Sequence, residues 1–392
     1  MLVIFQTHPV QYHAPVFRAV QAQHDIPVTA IYGSDFSVAG YRDREFGASF
    51  AWDTDLLSGY TSIFLSRVAD GGAASFDEVR TDGLGAALAG LTPQAALVAG
   101  YSPAFHRSAL LAAWRRRLPI LFRAEVSPTA QSGSAMKRAV RAAALRTLYA
   151  RCARVLYIGA RAREHYASYG VPDARLIFSP YCVDTAVFRT DEAARAAERG
   201  AMRAALGFDD QTLVLLQSGK LTPKKRPDLL LDAVRDLPAR LGRPVGVVLV
   251  GDGELRASLE HTATMLPGVR VHVTGFRNQR ELSPYYHAAD VAVLPSQHSE
   301  TWGLVVNEAL AHGLPCVVSS VVGCGPDLVL AGATGEIFEV GSAAALADAL
   351  VRVQSRAGHR ATRDACRARV ALYSVDAAAA GIADAYRQVT RA

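Results

Sequence analysis

Glu300 and Glu308 are two carboxylates with seven residues between them, bracketing a Thr301-Trp302-Gly303 turn and the apolar run Leu304-Val305-Val306. Before them lies Asp290-Val291-Ala292-Val293-Leu294, ended by Pro295. After them comes Ala309-Leu310-Ala311-His312-Gly313-Leu314-Pro315, with Gly past the last turn of a helix and Pro just beyond. The pattern reads as strand, loop, helix, strand. Glu300 falls in the loop, Gly303, Leu304 and Val305 at the helix start, and Glu308 a turn and a half further in. Backbone N–H groups at a helix start have no partners inside the helix and carry its positive dipole end, so they attract anions. A carboxylate beside such a site is costly unless a ligand brings hydroxyls for it to grip.

Three more loops in the second half follow strand-like runs. Gln217-Ser218-Gly219-Lys220-Leu221-Thr222-Pro223-Lys224-Lys225-Arg226-Pro227 sets two cations, Lys220 and Lys225, before a Pro-started helix, an arrangement that suits a diphosphate. Read alone it is an ordinary exposed basic loop. Gly251-Asp252-Gly253-Glu254 follows Val247–Val250; Gly251 and Gly253 let a backbone approach a ligand, although a plain strand-to-helix turn explains them as well. As a dinucleotide fingerprint it is incomplete, because the third glycine is missing. In Gly275-Phe276-Arg277, Phe276 can border a flat base, and the backbone of Phe276 and Arg277 can bond its edge; a core Phe at a strand end is the alternative.

These loops need strands and helices to hold them. Apolar strand-like runs alternate with helical patterns through both halves, which predicts an α/β chain with parallel sheets and crossover helices. The expected organisation is two Rossmann-like β/α/β domains facing a cleft: residues 1–190, residues 191–375, and a closing helix over 376–392 that packs back on the first domain. Residues 186–205 read as the connection between domains. Ser75 with Glu78 three residues on resembles a capping box and predicts a helix over Phe76–Ala89. Phe36–Gly59, with Tyr41, Phe46, Phe50 and Trp52, reads as a long functional loop.

Composition narrows the classes. The chain has 392 residues, half of them hydrophobic and a fifth charged, which excludes bulk disorder. Met1-Leu2-Val3-Ile4-Phe5 opens as a buried strand, so no secretory signal is expected, and no apolar run approaches a membrane helix. Five scattered cysteines lack metal-ligand spacing, and a reducing cytoplasm fits them best. Residues 101–175 carry 14 basic against 3 acidic side chains, Arg115-Arg116-Arg117, Lys137-Arg138, Arg141, Arg146, Arg151 and Arg154 among them. That is either a solvated face or a surface for anionic headgroups at the inner membrane face. Nothing resembles a nucleic-acid reader.

Taken together, Gly219-Lys220-Leu221 with Lys225, Val250-Gly251-Asp252-Gly253, Gly275-Phe276, Ala289-Asp290-Val291, Pro295-Ser296, the acid pair, and Gly313-Leu314-Pro315-Cys316-Val317 resemble the GT-B glycosyltransferases of family 4. The resemblance is strong over 210–355 and extends loosely to Pro180-Tyr181, Val183-Asp184 and Phe188. It implies a retaining transferase that uses a nucleotide-diphosphate sugar, with no metal and no cofactor. By that analogy Glu308 holds the ribose, Glu300 the donor sugar, and Lys220 and Lys225 the leaving diphosphate, with Gly303, Leu304 and Val305 amides on its oxygens. Electrostatic help of this kind is worth about 3–4 kcal/mol per well-placed group. The sequence departs from the family pattern at Lys220, where Arg is usual, and at Arg226, where Gly commonly follows the second cation.

The first half matches less well. Thr7-His8-Pro9-Val10-Gln11-Tyr12-His13 replaces a Gly-rich turn, and places Gln11 and His13 toward acceptor or diphosphate, His13 as a catalytic candidate or a structural hydrogen-bonder. Arg123-Ala124-Glu125-Val126-Ser127 supplies Arg123 and Glu125 on the acceptor side, or an internal ion pair. The expected partners are a nucleotide-sugar donor, a glycan, lipid-linked or small-molecule acceptor, and a membrane surface met through residues 101–175. The alternatives are a sugar-nucleotide epimerase or a glycoside phosphorylase of the same fold, or a non-catalytic nucleotide-sugar-binding protein. An oxidoreductase is disfavoured by the incomplete glycine fingerprint.

Overall fold

The computed structural model describes residues 1–42, 49–50, 54–126, 134–298 and 300–391. Phe46 and Trp52 of the expected long loop, and Ser127, lie outside the described residues. Among the described residues, Met1–Tyr41, those from Ser49 to Asp184 and those from Ser374 on form one compact unit, and Thr185–Tyr373 with Arg42 form a second.

The first unit is built on β1 (Leu2–Gln6), β2 (Val28–Tyr32), β3 (Thr61–Phe64), β4 (Ala95–Val98), β5 (Ile120–Arg123), β6 (Arg154–Tyr157) and β7 (Leu176–Phe178), in the order β3-β2-β1-β4-β5-β6-β7. The pairs run parallel, and β1, β2, β4 and β5 are buried along their whole length, which explains their near-continuous apolar sequence. Strand order reverses between β1 and β4, so the loops leaving these two strands diverge and open a crevice at their carboxyl ends.

The closing helix, Val375–Thr390, belongs to this unit and packs on the Ala14–His24 helix. Its Ala-rich face has a steric reason. A Cβ at Gly381 would lie 2.0 Å from the Phe178 carbonyl oxygen, while Ala378, Ala379, Ile382, Ala383 and Ala385 are buried in the core. Only small side chains let the helix lie this close to β7.

The second unit holds β8 (Leu213–Ser218), β9 (Val245–Val250), β10 (Val269–Val273), β11 (Val291–Leu294), β12 (Cys316–Ser319) and β13 (Gly335–Phe338), again parallel, in the order β10-β9-β8-β11-β12-β13. Here the order reverses between β8 and β11. The loop with Lys220 and Lys225 leaves β8, and the loop with Glu300 leaves β11. The switch point therefore brings the cationic loop and the first acid to one crevice.

Several expectations are corrected. The helix over Phe76–Ala89 is a single 3₁₀ turn at Phe76–Glu78 and a separate helix at Leu84–Ala89. Ser75 makes no cap bond, and Gly83 with φ +83° interrupts the pattern. Residues 186–205 are no simple connection: Glu192–Ala205 is a helix of the second unit. Its Arg199 donates to the carbonyls of His287, Ala288 and Ala289, and Arg203 pairs with Asp290 at 3.3 Å while donating to Ala288 O. Asp290 in turn accepts from Val214 N at 2.8 Å, so this helix fixes the entry to β11.

Candidate functional site

The Leu304–Ala311 helix starts with Gly303 as its N-cap, at φ +101°. A Cβ there would meet Leu294 Cδ2 at 2.8 Å and Val322 Cγ1 at 3.2 Å, so both conformation and space require glycine. The helix ends in a Schellman pair, Gly313 N to Leu310 O and Leu314 N to Ala309 O, both 2.9 Å. The turn before it is clamped: Trp302 Nε1 donates to Asn307 Oδ1 at 2.8 Å, Gly323 N to Glu300 O at 3.0 Å, and Cys324 N to Trp302 O at 2.9 Å. The amides of Leu304 and Val305 thus open a short rigid helix with no partner inside it.

Glu300 is 9% exposed and accepts from Lys225 Nζ at 2.5 Å and Ser296 Oγ at 2.8 Å, both at the same carboxylate oxygen. Burial pushes this carboxyl up, but the Lys225 charge and these two hydrogen bonds outweigh it and hold Glu300 below the usual carboxylate range. It is an anion paired with a cation.

Glu308 is 3% exposed, and its Oε2 accepts from Tyr286 Oη at 2.7 Å. Burial pushes it up to about 7, with the Tyr286 hydrogen bond opposing only in part. Tyr286 is itself fixed by stacking on His312 at 4.6 Å, and His312 bridges Glu308 O and Ser283 Oγ. The sequence signal for Tyr286 was slight: an aromatic in a short helix before β11, indistinguishable from core packing.

Lys225 is held by its own backbone, with Lys225 N donating to Thr222 O at 2.9 Å and Lys225 O accepting from Gln217 Nε2 at 3.1 Å. Arg226, the departure from the family pattern, sits in the left-handed region at φ +50°, which accounts for the Gly usual there. Its guanidinium grips Asp228 at 2.9 and 3.1 Å and donates to Gln297 at 2.8 Å. Lys220, half-buried, stands on the same loop.

The glycines Gly251 and Gly253 also serve the packing of the loops. A Cβ on Gly251 would lie 1.9 Å from Gly219 O, and one on Gly253 would lie 2.6 Å from Leu221 O. Gly219 N bonds Val250 O, Leu221 N bonds Asp252 O, and Gly251 N bonds Gly275 O, at 2.9 to 3.0 Å. Gly251 and Gly253 therefore let the loops after β8, β9 and β10 lie directly against each other, which sets the height of Lys220. Phe276 and Arg277 follow on the third of these loops, half-buried, with Arg277 donating to Thr274 O at 3.2 Å.

In the first unit, a cavity of about 370 Å³ opens at the switch point, lined by Gln6 at the end of β1 with His8 and His13 after it, Tyr101 and His106 after β4, Arg123 at the end of β5 with Glu125 after it, and Tyr181 after β7. Arg123 donates to Ser179 Oγ at 3.1 Å and to Pro180 O at 2.8 Å, and lies over the Tyr181 ring. Glu125 accepts from Tyr181 Oη at 2.5 Å. Burial, then the Arg123 charge, holds His13 down at about 3; burial, then His106, holds His8 at about 4. Gln11 is buried but does not line the cavity. His8 and His106 were missed as candidates, because nothing in the sequence joins residue 106 to residue 8 except strand order. Among the described residues no cluster of three His, Cys, Asp or Glu is placed to hold a metal ion, and no helix is long and apolar enough to cross a membrane.

Residues 198–367 match the family model of glycosyl transferases group 1. A D-inositol 3-phosphate glycosyltransferase from Xylanimonas cellulosilytica is 34% identical over 57% of this chain and 54% of its own length. A GDP-mannose-dependent alpha-(1-6)-phosphatidylinositol monomannoside mannosyltransferase from Mycolicibacterium smegmatis is 33% identical over 47% of this chain and 48% of its own. The chain thus spans about half the length of these curated relatives. Among solved structures, Anabaena Alr3699/HepE in complex with UDP and glucose superposes with a TM-score of 0.69 at 16% identity, covering 99% of this chain and all of that one. Sucrose-phosphate synthase from Thermosynechococcus elongatus gives 0.69 at 19% identity, over 100% and 99%. The chain has the GT-B fold, and its segment 198–367, which carries Glu300, Glu308 and both lysines, matches the model of the glycosyl transferases group 1 family.

Proposed function

We propose that this chain is a retaining glycosyltransferase that moves a sugar from a nucleotide-diphosphate donor to an acceptor hydroxyl. The observation that carries the reading is the pairing of buried Glu300 with half-buried Lys225 at the mouth of the Leu304–Ala311 helix. As paired here, each charge neutralises the other. With donor bound, Lys225 turns to the diphosphate and Glu300 to the sugar hydroxyls, so binding exchanges one satisfied arrangement for another. Lys220 and the amides of Gly303, Leu304 and Val305 add positive potential where the leaving group's charge develops. Glu308 takes the ribose hydroxyls, and the backbone of Phe276 and Arg277 the base.

In the transfer, the anomeric carbon–phosphate oxygen bond breaks and a bond to the acceptor oxygen forms on the same face. The acceptor proton passes to the leaving diphosphate oxygen. His13 touches the acceptor hydroxyl and orients it; held at about 3, it is a weak base and stays neutral. Gln11 backs the same loop, and Arg123 and Glu125 shape the acceptor wall. The reading uses no metal and no cofactor, so turnover that survives a chelator is the expected outcome.

A cytoplasmic enzyme with a peripheral membrane contact completes the reading. The first two turns of the Ala135–Ala150 helix are exposed on every side and mix Met136 (77% exposed) and Val140 (66%) with Lys137, Arg138 and Arg141. Basic and apolar side chains on one projecting helix suit an anionic lipid surface.

The test is sugar-nucleotide turnover. Wild type should release nucleotide diphosphate slowly from its donor without acceptor, and Glu300→Gln should lower that rate at least a hundredfold. Unchanged turnover of every sugar nucleotide in Glu300→Gln would remove the site assignment.

A further inference from the structure

The cavity of the first unit contains polar atoms that the protein leaves unanswered. Gln6 Oε1, both ring nitrogens of His13, and His106 Nε2 are buried and have no hydrogen-bond partner among the described residues. Gln6 is 6% exposed, His106 4% and His13 9%, and all three line the cavity. Orphaned groups at this depth cost free energy, which points to a ligand that answers them.

Their chemistry specifies which ligand. His106 Nδ1 faces the Ser102 carbonyl at 2.9 Å. A carbonyl only accepts, so Nδ1 carries the proton and Nε2 of the neutral ring is an acceptor. Gln6 Oε1 is an acceptor. Neutral His13 presents one donor and one acceptor. Glu125 adds a carboxylate to the same wall, and Arg123, the one Lys or Arg among the described lining residues, is engaged by Ser179, Pro180 and the Tyr181 face. The wall therefore asks for hydrogen-bond donors. A phosphate or carboxylate offers only acceptors and would set its charge against Gln6 Oε1, His106 Nε2 and Glu125. Hydroxyls donate and accept, and several on one ring answer all of these atoms together.

We propose that the part of the acceptor seated in this cavity is an uncharged polyhydroxylated ring, a sugar or cyclitol without phosphate or carboxylate on the seated ring. The inference rests on the transferase reading for the word acceptor, and on the cavity alone for the chemistry. About 370 Å³ is within the range of pockets that enclose a small molecule, and Phe76 and Tyr181 give it aromatic walls. It sets this chain apart from the relatives whose names specify an inositol phosphate or a phosphatidylinositol mannoside.

Saturation-transfer NMR on the full chain tests it with methyl α-mannoside, methyl β-glucoside and myo-inositol against D-inositol 3-phosphate and glucuronate. The neutral probes should show transfer and the anionic ones at least tenfold weaker binding. His13→Phe and Gln6→Leu remove groups whose orphaned atoms bond nothing among the described residues, so both should keep or raise the melting temperature and lose binding about tenfold. A merely structural role would lower the melting temperature instead. Tighter binding of a phosphorylated ring than of its neutral counterpart overturns the proposal. So does wild-type-like binding by both variants, or no transfer to any neutral probe at tens of millimolar. Donor hydrolysis by wild type is read in parallel. If hydrolysis persists while these arms fail, only the acceptor chemistry falls. If no sugar nucleotide is bound or cleaved while neutral rings bind, the transferase reading falls and the polyol site stands.

Discussion

Glu308→Gln separates what the buried acid does to stability from what it does for binding. Burial raises Glu308 from 4.5 to about 7. The native state therefore binds more protons than the unfolded state between those two values, and stability falls as pH rises through that window. The displacement corresponds to roughly 3 kcal/mol when ionisation is complete. Little of this has developed at pH 5 and nearly all of it at pH 8, which leaves about 2.5 kcal/mol between them. Glutamine keeps an oxygen for the Tyr286 hydroxyl and cannot ionise. Whatever its amide costs is the same at both pH values and cancels in the difference. Calorimetry of wild type and Glu308→Gln at pH 5 and pH 8 should show the variant gaining about 5–10 °C relative to wild type on going to the higher pH. The same variant should bind nucleoside diphosphates at least tenfold more weakly. Parallel pH dependences in the two proteins would refute the burial argument, because a solvated carboxylate gives no such divergence.

Other residues give independent tests. Arg226→Gly relieves a left-handed backbone worth about 1 kcal/mol and loses a half-exposed Asp228 pair worth less than about 1, so it should be near neutral in denaturant titrations. Arg226→Ala loses the pair and keeps the strain, and should be about 1 kcal/mol less stable than the Gly variant. Gly251→Ala drives a Cβ into Gly219 O and should cost roughly 3 kcal/mol or more, with nucleoside diphosphate affinity lost as the Lys220 loop shifts. Reversing Lys137, Arg138 and Arg141 to Glu should abolish salt-sensitive flotation with anionic vesicles; flotation indifferent to lipid charge would remove the membrane contact.

The sequence carried the strands best where both faces are buried. Leu2–Gln6 and Leu213–Ser218 are apolar almost throughout, because a parallel strand between two helix layers meets no water. Thr61–Phe64 escaped notice because it is an edge strand with one exposed and three half-buried residues, so its composition is mixed. The Arg360–Ala371 helix escaped because its arginines obscure the apolar stripe. Two of them, Arg363 and Arg367, are recruited by Glu192, a contact 171 and 175 residues away in sequence. The same limit governed the two sites. The loop with Glu300 could be read because it is local, a strand end, a turn and a helix start in one stretch. The Gly251 contact with Gly219, the Tyr286 hydroxyl on Glu308, and the meeting of His8 with His106 are products of strand order. One-dimensional pattern holds no signal for them, and the loop-to-loop contacts of the glycines in particular do not show in it.

The central claim is that the crevice between β8 and β11 holds a nucleotide diphosphate through Lys225, with Glu300 released to the sugar. Isothermal titration of UDP, GDP and ADP, and of the matching nucleosides, into wild type and Lys225→Met measures this directly. One nucleoside diphosphate should bind at least a hundredfold more tightly than its nucleoside, more weakly as salt is raised, and at least tenfold more weakly to Lys225→Met. Equal affinity for nucleoside and diphosphate, or a Lys225→Met protein that binds as wild type does, would contradict it.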